Sequence, residues 1–172
     1  MFPRLYRATE YCIVTRFLRG GVNPVFRWIF KLPILTYRVG LGGLIGKQIL
    51  LLTTIGRKTG KPRVTALGYG YDAASDTYCV TTGWGRRSDW LRNARANPEI
   101  HVRVGKRQFD GIAALVPEEQ AMPMMAEYAR LNPYAPRRGS LLSGVPFDGS
   151  EESLRRIVTY FPSVALRPAG KA

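Results

Sequence analysis

Apolar residues along this chain gather into short runs separated by turn formers, and the period inside each run separates strands from helices. Gln48-Ile-Leu-Leu-Leu-Thr-Thr54 is apolar almost throughout, as expected of a strand covered on both faces. Arg63 to Tyr71, Thr77 to Thr82, Glu99 to Val104, Gln108 to Val116 and Val164 to Arg167 supply five more strand-length segments. Within 99–104, Ile100, Val102 and Val104 alternate with His101 and Arg103, which turns His101 towards solvent. Gly56 to Gly60, Asp72 to Asp76 and Gly105-Lys106 read as the turns between successive strands.

Helical spacing appears at five places. Residues 4–19 form one predicted helix, ended by Gly20-Gly21, and 24–31 a second, stopped before Pro33. Ser88 or Asp89 caps a short helix that runs to Asn97 and exits at Pro98. Pro117-Glu118-Glu119 opens another, disturbed at Pro123 and reaching Leu131. Ser150-Glu151-Glu152 caps the last, to Tyr160. Gly40 to Gly46 reads as a flexible lead-in, and the Pro/Gly/Ser-rich residues 132–150 as a surface loop. Strands arriving in hairpins rather than alternating with helices give an α+β class, and a closed or half-closed barrel hides the edges of such short strands.

Composition changes the picture in three ways. The formal net charge is +14, so an anionic partner, substrate or surface is expected; nucleic acid, membrane headgroups and a polyanionic cofactor all qualify. Half of it, +7, lies on residues 1–48, where Phe2, Tyr6, Phe17, Phe26, Trp28 and Phe30 are interleaved with the cations. That stretch could lie on an anionic membrane or pack on the barrel. Arg16, Arg19, Arg27 and Lys31 interrupt every apolar run there, which argues against both a signal peptide and a spanning helix. Two cysteines, Cys12 and Cys79, point to a reducing compartment, and a single histidine leaves too few N and S ligands for zinc. No metal site is expected.

Two glycine-rich segments invite nucleotide-binding readings that fail. Gly56-Arg-Lys-Thr-Gly-Lys-Pro-Arg63 has three residues between its glycines where a P-loop needs four, and it joins two strands. Gly40 to Gly46 lacks the third glycine of a dinucleotide fingerprint. The physics of the first segment survives: its glycines allow a close backbone turn whose consecutive N–H groups could form an anion nest, and Arg57, Lys58, Thr59 and Arg63 add donors suited to phosphate. An ordinary charged hairpin turn is the competing reading. Downstream, Thr82-Gly-Trp-Gly85 sits at a strand end, where a ligand can approach. Trp90 and Asn93 lie three apart on one helix face, as ligand wall and amide contact, as core and loop support, or as both together.

Taken in order, Leu50-Leu-Leu-Thr-Thr-Ile-Gly-Arg-Lys-Thr-Gly-Lys-Pro-Arg63 followed by Trp90-Leu-Arg-Asn-Ala-Arg-Ala-Asn-Pro98 resembles the deazaflavin (coenzyme F420)-dependent nitroreductase family, whose pattern is L-L-T-T-x-G-R-K-S-G-x-x-R and then W-x-x-N-x-x-A-N-P. The resemblance spans roughly residues 22–168. It implies a split β-barrel, FMN-binding-like, with about six mostly antiparallel strands, flanking helices and a basic N-terminal helical segment. Residues 1–46 would be that segment and 47–172 the cofactor-binding barrel, as one folding unit.

The activity implied is hydride transfer from reduced coenzyme F420 to a quinone, nitro-compound or similar planar small-molecule acceptor. The resemblance assigns the cofactor's phosphate to Arg57, Lys58, Thr59 and Arg63. It places the deazaflavin beside Thr82, Gly83, Trp84 and Gly85, with Trp90 and Asn93 as the downstream pair. Tyr128 and Tyr134 are the available acceptor-side donors. Thr59 replaces the family's serine, and the loop carrying Trp84-Gly-Arg-Arg87 is shorter than the common form. FMN or haem on the same barrel, and a non-catalytic cofactor or lipid-like ligand binder, are the alternatives. A cytoplasmic protein is expected; contact of residues 1–46 with the inner membrane face stays open beside their packing on the barrel, as does a homodimer, and nucleic acid has only charge in its favour.

Overall fold

The computed structural model describes residue 37 and residues 49–131 and 134–170, and the side chains of 127, 128, 131, 134 and 135 lie outside that description. The helices expected over residues 4–19 and 24–31 and the lead-in expected at Gly40 to Gly46 lie outside the described residues.

Six strands close into a ring in the order β1-β2-β3-β6-β5-β4, every neighbouring pair antiparallel. They are β1 (Ile49–Ile55), β2 (Pro62–Asp72), β3 (Thr77–Thr81), β4 (Glu99–Val104), β5 (Arg107–Leu115) and β6 (Ser163–Pro168). This is the α+β barrel that the hairpin spacing predicts. The apolar run of β1 lies between β2 and β4. Leu50 and Leu52 are fully buried on the inward face, and Leu51 on the other face is only 7% exposed. In β4, Ile100, Val102 and Val104 point inward, while His101 faces out against Asp110 across the β4–β5 pair, Nδ1 to Oδ1 2.8 Å.

Among the described residues, four helices of eight residues or more decorate the ring: α1 (Asp89–Ala96), α2 (Glu118–Leu131), α3 (Tyr134–Ser143) and α4 (Glu151–Tyr160). The first, inserted between β3 and β4, sends Trp90, Leu91 and Ala94 into the barrel core beside Leu52, Val80 and Val164. Burying side chains of this size contributes about 1.5–3 kcal/mol each, so α1 is anchored as part of the core. A smaller cluster of Ala121, Met122 and Val158 joins α2 to α4. Pro123 stands inside α2, which continues through it.

The expected loop over 132–150 is overturned for residues 134–143, which form α3. Pro136 falls in the helix's first turn, where a missing N–H costs nothing. Gly139 is where α3 crosses α4: a Cβ there would come within 2.6 Å of Ile157 Cγ2. Composition that looks like a loop is here a helix shaved to fit its neighbour. Ser150 caps α4 as expected, accepting from Ser153 N at 3.1 Å.

Tyr37 is buried, and its hydroxyl donates to Ile49 O (2.8 Å) and accepts from Gly105 N (3.0 Å). It ties the start of β1 to the β4–β5 turn. No described helix is long and apolar enough to cross a membrane.

Candidate functional site: a clamped basic turn beside a glycine loop

The turn Gly56–Gly60 leaves β1 and re-enters the ring at β2. Gly56 N donates to Lys61 O (2.9 Å), while Thr59 N and Gly60 N both donate to Gly56 O (3.0 and 2.8 Å). Gly60 takes a φ of +63°, the left-handed conformation that glycine adopts most cheaply. A Cβ on Gly56 would meet Thr59 Oγ1 at 2.8 Å, so the turn is tight.

This tightness corrects the expected anion nest. Four of the five turn amides, including Arg57 N, already donate within the protein. The cation side chains are therefore what the turn offers a ligand.

Asn93 holds the turn from α1. Its Oδ1 accepts from Arg57 N (3.2 Å) and from Arg57 NH1 (3.0 Å), and its Nδ2 donates to buried Thr54 Oγ1 (3.4 Å). Arg57 NH2 meets Asp89 at 2.9 Å, so the guanidinium is locked between the first and second turns of α1. Lys58, Lys61 and Arg63 are exposed and have no carboxylate partner among the described residues. Asp89 is the acid nearest this turn in the network, and Arg57 already neutralises it. The result is a cationic edge whose geometry is set from behind.

The glycine loop leads directly into the N-terminus of the same helix. Thr82 N donates to Pro162 O (3.3 Å), pinning the loop's start to the entry of β6. Gly83 and Trp84 are exposed, Gly83 bordering open space. Gly85–Arg87 forms one 3-10 turn, and Gly85 has a φ of +57°. Arg92 of α1 donates through Nε to Arg86 O (3.3 Å). Helix α1 thus carries both functional loops, one through Asn93 and Asp89 and the other through Arg92.

The predicted residues divide accordingly. Lys58 and Thr59 stand on the exposed turn with Arg63 just beyond it at the start of β2, and Thr82, Gly83, Trp84 and Gly85 lie on the loop. Arg57 and Asn93 pair with each other. Trp90, 7% exposed, lies in the barrel core. Tyr128 belongs to α2 and Tyr134 opens α3; their side chains are outside the description.

One neighbour of the loop is unmarked by the sequence motifs. Tyr160, 40% exposed at the end of α4, packs so closely on Gly85 that a Cβ there would lie 2.8 Å from both its ring and its carbonyl. The signal that could have found it is its position just ahead of Pro162-Ser163, since β6 pairs with β3 at Thr81↔Ser163.

Against this geometry, the description F420H(2)-dependent quinone reductase matches residues 36–138, and the matched span holds both the turn and the loop. An F420H(2)-dependent quinone reductase of Mycobacterium tuberculosis is 36% identical over 112 residues, 60% of this chain and 70% of that protein. The chain belongs to the F420H(2)-dependent quinone reductase family. It is an F420H2-dependent oxidoreductase, and coenzyme F420 is its cofactor. Two solved structures share the fold. An F420-H2 dependent reductase superposes with a TM-score of 0.50 at 20% identity, over 70% of this chain and 95% of that one. A pyridoxamine 5'-phosphate oxidase-related FMN-binding protein from Nostoc punctiforme gives 0.51 at 18%, over 77% and 79%.

The residues present fit such a cofactor. Its phosphate calls for cations not already paired, and Lys58 and Arg63 have no carboxylate partner among the described residues. Its flat ring calls for a shallow, glycine-lined rim with polar groups in reserve, and buried Thr82 Oγ1 has no partner among those residues.

Proposed function

We propose that the Gly56–Gly60 turn and Arg63 seat the phosphate end of coenzyme F420, that the Thr82–Gly85 loop borders its ring, and that the acceptor is a quinone. The observation that carries this reading is the Asn93–Arg57–Asp89 clamp. It holds a turn rigid whose remaining cations lack carboxylates, an arrangement that has little purpose in a hairpin and a clear one beneath a phosphate.

Bound in this way, the reduced deazaflavin supplies the hydride. The protein's part is placement. Lys58 and Arg63 fix one end of the cofactor, and Thr59 Oγ1 adds a hydroxyl beside them. The glycine positions let a flat ring lie against backbone, and Trp84 covers the rim and keeps water away. Tyr128 or Tyr134 would present its Oη proton to the acceptor oxygen. Residues 47–172 form the catalytic unit in this reading. Residues 1–46 bring it to anionic membrane, where apolar quinones dissolve; co-sedimentation with anionic but not neutral vesicles would support that placement.

The test is a fluorescence titration with coenzyme F420, followed by turnover of the reduced cofactor with quinones and nitroaromatics. Losing one charge-assisted contact costs about 1.5–3 kcal/mol, so Lys58→Ala and Arg63→Ala should each weaken binding about 10- to 100-fold without unfolding the protein. Unchanged binding in both variants refutes the phosphate seat, and turnover of nitroaromatics in preference to every quinone refutes the acceptor.

A further inference from the structure

Two side-chain oxygens at the stems of the glycine loop are left without partners among the described residues. Thr82 is 2% exposed and Ser88 4%, yet neither Thr82 Oγ1 nor Ser88 Oγ makes a hydrogen bond to any of them. Folds ordinarily avoid this, because a buried polar group loses its water and gains nothing in return. Ser88 is the more telling of the pair. It occupies the N-cap of α1, but its hydroxyl makes no capping bond, whereas Ser150 in the same position on α4 caps normally. The residue type suited to capping is present, and its oxygen is held aside.

The two residues bracket the loop on both sides. Between them Gly83 borders open space, and Gly85 carries the left-handed φ that lets the chain double back. Both stems are fixed by backbone bonds to residues outside the loop, Thr82 N to Pro162 O (3.3 Å) and Arg92 N of α1 to Ser88 O (3.1 Å), so the hydroxyls sit on anchored positions beneath a glycine-rich arch.

We propose that Thr82 Oγ1 and Ser88 Oγ are paired ligand contacts, exposed when the Gly83–Arg87 arch lifts. Their partner is the edge of a planar heterocycle that carries both carbonyl and N–H groups. A hydroxyl can donate to the former and accept from the latter, so two of them read such an edge without any charge. This rests on the reading that the loop borders the deazaflavin ring, and it adds Ser88 as a binding residue outside the family pattern.

The experiment uses the full chain and oxidised coenzyme F420, with Thr82→Val and Ser88→Ala read by fluorescence titration and by thermal unfolding without ligand. Each variant should bind about tenfold more weakly, the size of one hydrogen bond, while its ligand-free Tm stays level or rises because an unsatisfied hydroxyl is gone. Thr82→Ser, which keeps the hydroxyl, should bind like the wild type.

Unchanged affinity in Thr82→Val and Ser88→Ala overturns the proposal. So does weaker binding accompanied by a lower ligand-free Tm, which would mark the hydroxyls as seats for internal water, and so does an equal loss in Thr82→Ser. If Lys58→Ala still weakens binding in those cases, the phosphate seat stands and only this inference falls. If the wild type itself binds no cofactor, the underlying reading fails.

Discussion

Replacing Asn93 by alanine separates a clamped turn from an ordinary charged one. The side chain is 5% exposed and makes three hydrogen bonds, two from Arg57 and one to Thr54 Oγ1. The 3.4 Å contact with Thr54 is long and contributes least, but Thr54 is 1% exposed, so its oxygen would be stranded. Arg57 lies at the surface, and water can replace part of what it loses. One stranded buried group and two weakened bonds together cost about 2–3 kcal/mol. For a chain of this size that is a Tm lowered by roughly 5–10 °C.

The loosened turn should also bind coenzyme F420 about tenfold more weakly, because the cations are no longer preorganised. Asn93→Asp is the informative partner. It keeps an acceptor for Arg57 and lets Thr54 donate, so stability should stay near the wild type, while its added negative charge beside the phosphate seat weakens binding. Thermal unfolding by circular dichroism and fluorescence titration read the two effects separately. An Asn93→Ala protein melting within about 1 °C of the wild type would refute the clamp. A destabilised one that bound cofactor normally would show that the turn is not the anchor.

Other outcomes follow from the same structure. Gly85→Ala forces a Cβ to within 2.8 Å of Tyr160 O at a φ of +57°, so the loop must shift. We expect a loss of about 2 kcal/mol or more, read by denaturant unfolding, together with slower acceptor turnover. An unaltered protein would mean that the loop is not seated on α4. The Ser150 hydroxyl, followed by the Ser150 N–H, bonds to Asp148 and holds its carboxyl well below the ordinary value of 3.8. The stability this contributes is fully present above pH 3.8 and disappears as pH falls through the lower folded value. Asp148→Asn should therefore flatten the acid limb of a stability-versus-pH curve below pH 3.8, and an unchanged limb would count against that contact. Cofactor binding should weaken steadily with added salt, since the proposed phosphate cations are exposed and screened; affinity independent of ionic strength would contradict an electrostatic anchor.

The barrel was legible because alternation is a local property. Ile100, Val102 and Val104 declare their face within six residues, and the uninterrupted run of β1 declares a strand covered on both sides. Helix α3 was not legible, since Pro136, Gly139 and the serines around them look like loop until α4 supplies the crossing that requires a glycine.

The site divides along the same line. Its residue types stood out in the sequence, but the pairing of Arg57 with Asn93 spans 36 positions and exists only once α1 plugs the barrel. Trp90 fitted a ligand wall, a core or both, and its place among the residues that fill the barrel emerges only once the ring has closed. Tyr160 carried no local mark because its place beside Gly85 is fixed by the β3–β6 register rather than by anything near it in the chain.

The closed ring has a consequence for how such enzymes diversify. Each of the six described strands has a neighbour on both sides, so none of them stands ready to template aggregation when a connection changes length. The Gly83–Ser88 connection is therefore an exchangeable cassette, provided that α1 continues to fill the barrel behind it. Grafting that cassette between relatives that keep Ser88 should carry acceptor preference with it, while the recipient's basic turn continues to hold the cofactor's phosphate end.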